Sequence, residues 1–183
     1  MIFSPAGAKA RYQAILNAAT DGVVVIDLDG IIEEFNPAAA RMFGYTPEEV
    51  IGQNVSMLMD APYKANHDQY VRQYLETREA RIVGIGREVE ARRKDGSRFP
   101  IHLSIGEVQI EGLRGFVGLI RDISQRLQLE AELTQRREEL HLTLDRAPMA
   151  IASCDLDGTI RSANAAFCRM FEASEAVLKG SSL

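Results

Sequence analysis

The chain contains an internal repeat, because shifting its numbering by 128 overlays the tail on the head without a gap. The matches are residues 27–30 with 155–158, Asn36 with Asn164, residues 41–43 with 169–171, and Gly52 with Gly180. Repeats of this kind indicate a modular architecture. The second copy stops at Leu183, before the helical and β-rich segments that follow in the first copy. We therefore expect a piece of a longer protein, with one complete module and the start of another.

Composition places the chain among soluble globular proteins. It has 183 residues, 46% hydrophobic and 26% charged, and its net charge is −5. This acidic balance argues against direct nucleic-acid contact, because nucleic-acid-binding surfaces are normally basic. No apolar run approaches the ~20 residues of a membrane span, and the N-terminus lacks the pattern of a signal peptide. We expect a cytoplasmic protein in which Cys154 and Cys168 are free thiols, not a disulfide or a zinc site.

The pattern of apolar residues and turns predicts an α+β fold. Residues 1–20 favour a short amphipathic helix in which Ile15 makes an apolar contact. Two β-rich runs then flank an Asp-Gly turn, and a more polar, helical stretch follows over residues 56–79. Three further β-rich runs extend to Arg121. Together they predict a five-stranded antiparallel sheet, with helices on one face and the other face available to a partner.

The segment after the sheet differs in composition. Over residues 123–144 glycine disappears, and Leu129, Leu133, Leu140 and Leu144 recur at spacings of 4, 7 and 4, with one arginine interrupting the stripe. This pattern is compatible with a coiled-coil-like connector of a parallel dimer and with a lone helix packed on the sheet. The predicted organisation is an N-terminal helix at 1–20, a first module at 21–122, a connector helix at 123–144 and the N-terminal part of a second module at 145–183.

Four motifs of the first module resemble those of PAS domains. They are Asp-Leu-Asp-Gly at 27–30 followed by Asn-Pro-Ala at 36–38, Phe-Gly-Tyr-x-x-Glu-Glu-Val-Ile-Gly at 43–52, Arg-Lys-Asp-Gly-Ser-x-Phe-Pro at 93–100, and Ile-Arg-Asp-Ile at 120–123. The resemblance covers about residues 10–122, and residues 143–183 resemble the first third of another PAS domain. It implies the PAS fold: a five-stranded antiparallel sheet with flanking helices, followed here by a long connector helix and a truncated second copy. PAS domains hold haem, flavin, small metabolites or nothing, so the fold alone leaves the function open.

A narrower resemblance selects among these ligands. Residues 66–74 (Asn-His-Asp-Gln-Tyr-Val-Arg-Gln-Tyr), 82–87 (Ile-Val-Gly-Ile-Gly-Arg) and 102–107 (His-Leu-Ser-Ile-Gly-Glu) are similar to the haem-binding PAS domain of FixL-type oxygen-sensor kinases. The resemblance implies haem b as the cofactor and His67 as the axial ligand of its iron. It also implies oxygen as the sensed ligand, with carbon monoxide and nitric oxide as further candidates.

The other predicted cofactor-binding residues are carried over from the same family. They are Arg72 and Arg81 at the two propionates, Arg87 at the bound oxygen, Leu103 and Ile105 on the apolar distal side, and Ile82 as a further member of the set. A permanently charged guanidinium in a pocket of low dielectric stabilises negative charge on a ligand, which favours oxygen over carbon monoxide. His102 and His141 do not suit the iron. Strand alternation places His102 opposite the Leu103 face, and His141 lies in the polar connector.

Other functions of a PAS domain were weighed against this one. A flavin photosensor needs a reactive cysteine in the first module, whereas both cysteines lie in the second copy. No phosphate-binding loop is present, and His141 lacks the flanking residues of a kinase phospho-acceptor, so we expect this region to be sensory and not an enzyme. The hypothesis is a haem-based oxygen sensor domain of a two-component signal-transduction protein such as a histidine kinase. It would form a homodimer through its N-terminal and connector helices and pass the ligand state to a downstream output. The alternative is a haem-free PAS dimerisation or interaction module.

Overall fold

The computed structural model describes residues 5–60, 63–77, 84, 86–110 and 113–182. The chain forms two compact units, Met1–Gln125 and Arg126–Leu183. Across the described ranges, no helix combines the length and the apolar character needed to cross a membrane.

Helices and strands follow the order expected for the first module. Its elements are α1 (Pro5–Ala18), β1 (Gly22–Asp27), β2 (Ile32–Phe35), α2 (Pro37–Phe43), α3 (Pro47–Val50), a 3₁₀ helix (Val55–Leu58), α4 (Tyr63–Thr77), β3 (Arg87–Arg92), β4 (Arg98–Ile110) and β5 (Leu113–Asp122). The chain continues with α5 (Ser124–Arg146), β6 (Ala152–Cys154), β7 (Ile160–Ala163), α6 (Ala165–Met170) and α7 (Glu175–Leu178). The connector helix is thus observed two residues longer at its C-terminal end than predicted.

The five strands of the first unit form one antiparallel sheet in the order β2-β1-β5-β4-β3. This confirms the predicted α+β architecture. Alternate residues such as Val24 and Ile101 face the core, where they join Phe43 of α2 and Leu58 of the 3₁₀ helix. Leu119, on the opposite face of β5, is half exposed. The main apolar core therefore lies on one face of the sheet, and on the other face Val23 and Val25 of β1 are also buried.

The repeat seen in the sequence is also present in the backbone. In the first copy the Gly30 amide donates to the Asp27 carbonyl at 3.2 Å, and in the second the Gly158 amide donates to the Asp155 carbonyl at 3.0 Å. Both glycines have positive φ, 79° and 86°. Residues with a side chain rarely adopt this conformation, which explains why both Asp-Gly turns end in glycine. The second unit pairs β6 with β7 as the first pairs β1 with β2.

The N-terminal helix corrects one prediction. Ile15 is 62% exposed, so its expected apolar contact is wrong. Leu16 is the half-buried neighbour, and its carbonyl oxygen accepts a hydrogen bond from Asn36 Nδ2 at 3.1 Å. The orientation of α1 is therefore set by a polar tie to Asn36, which helix propensity alone does not predict.

An ion pair joins the start of β1 to the end of β5. Arg121 donates from Nε and Nη2 to the two carboxylate oxygens of Asp21, at 3.0 and 2.7 Å. These hydrogen bonds hold the pKa of the Asp21 carboxyl below its ordinary value of 3.8, against the opposing effect of burial. Because the pKa is depressed in the folded state, the pair stabilises the fold above pH 3.8. That contribution is lost as the pH falls through the lower folded-state pKa.

We expect Asp21→Asn to lower the free energy of unfolding at pH 7 by about 0.2–1 kcal/mol, the range for solvent-screened pairs. Urea unfolding of the variant and the parent, from neutral pH down to about pH 3, measures the difference, which should shrink in acid. Asp29→Asn is a suitable control, because an Asn-Gly turn is as favourable as an Asp-Gly turn. A difference for Asp21→Asn that stays constant with pH would contradict the assignment.

Candidate cofactor-binding site

A cavity of about 490 Å³ lies between the inner face of the sheet, α4 and the 3₁₀ helix. We call it the α4 cavity. Its volume is within the ~300–1,000 Å³ typical of small-molecule and cofactor sites. The apolar residues that the sheet contributes are Val24, Ile26, Val89, Ala91, Ile101, Leu103, Ile105, Phe116 and Ile120. Such a wall favours a large apolar ligand with a few polar anchors.

Helix α4 contributes a stripe of mixed residues to the cavity. His67, Tyr70, Val71, Gln73 and Tyr74 all line it. Positions 0, 3, 4 and 7 of this set lie on one helical face at 3.6 residues per turn, and Gln73 lies at its edge. His67 is half-buried, and its Nδ1 is shielded from solvent. Among its described lining residues the site therefore has one imidazole, together with an apolar sheet wall and the polar residues Gln73, Thr77, Arg87 and Glu90.

Arg87 lines the same cavity from the first position of β3. It is half-buried and pairs across the ladder with Leu103, which also lines the cavity. Gly86 immediately before it has a φ of 63°, and a Cβ at that position would lie 2.9 Å from Cε1 of His102. A side chain would thus be both strained and crowded at this entry to β3. This explains why glycine precedes Arg87. His102 itself is not among the residues that line the cavity.

The structure brings together only part of the predicted set. His67, Arg87, Leu103 and Ile105 line one cavity, although the first and last lie 38 positions apart in the chain. Arg72 is exposed and is not part of the lining. It is five residues after His67, which places it about 140° around the helix, at 100° per residue. Its predicted role at a haem propionate stays a prediction. Arg81 and Ile82 lie outside the described residues.

Several lining residues were missed by the sequence analysis. Tyr74 is one: its hydroxyl donates to Glu107 at 3.2 Å, and its ring meets Phe116 edge-on with centroids 5.6 Å apart. Glu107 and Phe116 are a cross-strand pair, so Tyr74 rests on adjacent strands. The signal that could have found these residues is helical spacing from His67, which also identifies Tyr70 and Val71.

The donor set fits haem better than a bare metal ion. Across the part of the chain that the structure describes, no group of three or more His, Cys, Asp or Glu side chains is arranged to hold a metal. One imidazole would be sufficient for haem, because the porphyrin itself supplies four nitrogen ligands to the iron. The apolar strands suit the macrocycle, and a cation in the wall suits an anionic group or a polarised ligand. The described lining residues include no cysteine that could serve flavin photochemistry.

Comparisons with known families and proteins agree with the geometry. A family model described as the PAS fold matches residues 10–123, and one described as a PAS domain matches residues 138–183. Sensor protein FixL of Bradyrhizobium diazoefficiens is 39% identical over 95% of this chain, which spans 34% of that protein. Oxygen sensor protein DosP of Escherichia coli K12 is 32% identical over 82% of this chain and 18% of its own length. The cell-division control histidine kinase PdhS of Brucella ovis is 35% identical over 69% of this chain. The chain thus spans about a third or less of these relatives.

Solved structures show the same fold. The PAS domain of a protein from Colwellia psychrerythraea has a TM-score of 0.53 and 28% identity, covering 64% of this chain and 98% of that chain. An RNA-binding light-oxygen-voltage receptor has a TM-score of 0.56 and 20% identity, covering 75% of this chain and 39% of that chain. The second likeness concerns the fold alone.

Proposed function

The chain belongs to the PAS family, and we propose that its first module, residues 21–122, binds haem b and senses oxygen. The observation that carries the proposal is that His67 and Arg87, from separate elements, line one apolar cavity. The similarity to an oxygen sensor protein, DosP, supports the same ligand class.

The residues that line the cavity would have different roles toward the cofactor and its gas ligand. When bound, ferrous haem supplies an iron that binds diatomic gases and transfers negative charge to oxygen far more than to carbon monoxide. His67 would donate an imidazole lone pair to the iron from α4. Arg87 would present a permanent positive charge in a low-dielectric environment, while Leu103 and Ile105 exclude water. Arg72, Arg81 and Ile82 remain predicted partners of the cofactor.

For the protein of which this chain is part, we assign a cytoplasmic sensor histidine kinase whose output responds to the state of the gas ligand. The support is the likeness to a sensor protein and to a histidine kinase. Helix α5 follows directly on β5, which places it to carry a change in the sheet onward.

The absorption spectrum tests the proposal. We expect protein expressed with a haem supplement to be red, with a Soret band and close to one haem per chain. The ferrous form should bind oxygen, carbon monoxide and nitric oxide. A colourless protein after haem-supplemented expression would contradict the proposal and favour the haem-free interaction module.

Self-association is a second candidate function, favoured by the surface of α5. No residue of α5 is buried. Leu129, Leu133, Leu140 and Leu144 are each between 44% and 69% exposed, and their spacing places them along one face. An apolar stripe of this kind is more stable when a second copy covers it, as in a coiled-coil-like homodimer.

We expect the double substitution Leu133→Gln, Leu140→Gln to weaken the dimer at least about tenfold. Each buried leucine contributes roughly 1.5–3 kcal/mol, and a factor of ten needs about 1.4 kcal/mol. Sedimentation equilibrium measures the dissociation constant. The matched control is Leu142→Gln: Leu142 is 55% exposed, but it lies about 200° around the helix from Leu140. A chain that is already monomeric at high concentration, or a control with the same effect, would contradict a dimer through this stripe.

A further inference from the structure

The side chain of Asn36 makes four hydrogen bonds, one of which ties α1 to the first module. Its Oδ1 accepts from the amides of Val23 and Ala39, at 2.8 and 2.9 Å. Its Nδ2 donates to the carbonyls of Leu16 and Asp21, both at 3.1 Å. The residue is only 3% exposed. One buried amide thus joins the last turn of α1, the start of β1 and the first turn of α2.

Asn164 makes the same four hydrogen bonds in the second unit. Its Oδ1 accepts from the amides of Ile151 and Phe167, both at 2.9 Å. Its Nδ2 donates to the carbonyls of Leu144 and Met149, at 2.8 and 2.9 Å. It is 5% exposed. Every partner is displaced by the repeat length of 128. Asn164 therefore bonds α5 to the second module in the same way that Asn36 bonds α1 to the first.

This arrangement is a mechanical link and not only a helix cap. The acceptor half of the amide caps the following short helix, as asparagine commonly does. One donor contact reaches back to the preceding helix, to the Leu144 carbonyl, which also accepts from the Ala147 amide at 3.2 Å. In the second unit Asp145 adds a parallel tie, because its Oδ1 accepts from the Ala165 amide at 3.1 Å. The last turn of α5 is therefore bonded directly to the start of α6.

We propose that Asn164 is the positioning residue through which the second module responds to the position of α5, and that Asn36 serves the same purpose for α1. The proposal rests on the proposed function in one respect, since α5 is taken to carry the signal of the first module. A buried amide with all four hydrogen-bonding positions satisfied resists separate movement of the groups it joins, because each broken bond would leave a position of the buried amide itself unpaired. A shift of α5 would then move β6, β7 and α6 with it.

The sharpest variant is Asn164→Asp. The carboxylate keeps both acceptor contacts, to Ile151 and Phe167, and it loses both donor contacts, to Leu144 and Met149. Hydrogen–deuterium exchange of the full chain, without added haem, should show roughly tenfold faster exchange in the last turn of α5. The first turn of α6 should keep its protection. Ser162→Ala is the matched control, because it removes an exposed side-chain contact of the same unit and leaves Asn164 intact.

A second experiment tests whether a change in α5 is transmitted to β6 and β7, as distinct from a general loss of stability of the second unit. Glu138→Gly loosens α5 at an exposed position, since glycine is a poor helix former. With Asn164 present, this loosening should also speed exchange in β6 and β7 severalfold. In the Asn164→Asp background that effect should be much smaller, because only the Asp145 tie to Ala165 remains. Unchanged exchange at the end of α5 in Asn164→Asp would overturn the proposal. So would an equal response of β6 and β7 to Glu138→Gly in both backgrounds. Neither arm uses haem, so a failure of haem binding would be recognised separately by the absorption spectrum.

Discussion

Replacing His67 with alanine is expected to abolish stoichiometric haem binding while the first module stays folded. His67 is the only histidine or cysteine among the described residues that line the α4 cavity. Its loss removes the axial ligand that the iron would need from the protein. The fold should survive, because the side chain is half-buried at the surface of α4 and alanine is the best helix former.

The measurement is the haem-to-protein ratio from the absorption spectrum, with far-ultraviolet circular dichroism to verify the fold. His141→Ala is the matched control, because it makes the same replacement at an exposed position of α5. The control should keep the full haem content. An unchanged Soret band and an unchanged ratio in His67→Ala would contradict the ligand assignment, even if the protein as a whole binds haem.

The fold could be predicted largely from local patterns. Alternating apolar residues and the Asp-Gly turn at Gly30 specify strands, pairing and direction, and the structure shows them in a single antiparallel sheet. The orientation of α1 could not be predicted in this way. It depends on a hydrogen bond between Leu16 and Asn36, 20 positions apart, while propensity counts only neighbours along the chain. Because propensity does not include such distant contacts, it assigned the apolar contact of α1 to Ile15.

In the site, too, some residues could be predicted from sequence motifs and others only from tertiary packing. The family motif led to His67 and Arg87, which the structure places in one cavity. Arg72 was carried over from the same family, and the structure leaves it exposed and outside the cavity lining, so its role at a propionate stays a prediction. The contact of Tyr74 with Glu107 spans 33 positions and forms only once α4 packs on the sheet. Residues that meet through tertiary packing therefore need the structure, whereas residues within one motif do not.

Replacing Arg87 with alanine is expected to lower the oxygen affinity of the haem-loaded protein roughly tenfold to a hundredfold. The guanidinium lines the cavity at the start of β3 and carries a permanent charge. Removing it deletes one charge-assisted hydrogen bond, worth about 1.5–3 kcal/mol, and each factor of ten corresponds to about 1.4 kcal/mol. Carbon monoxide affinity should change much less, because that ligand remains nearly neutral. The ratio of the two affinities is therefore the diagnostic quantity.

Parallel oxygen and carbon monoxide titrations of the ferrous protein measure that ratio. Arg92→Ala is the matched control, since Arg92 is an exposed arginine at the far end of the same strand. Arg87→Lys should lie between the parent and Arg87→Ala, because it keeps the charge but loses the planar fork of donors. Equal shifts for both gases would mean that Arg87 acts through the shape of the cavity and not through its charge. If neither affinity moved, the guanidinium would not reach the ligand, and the role carried over from the family would be wrong for this chain.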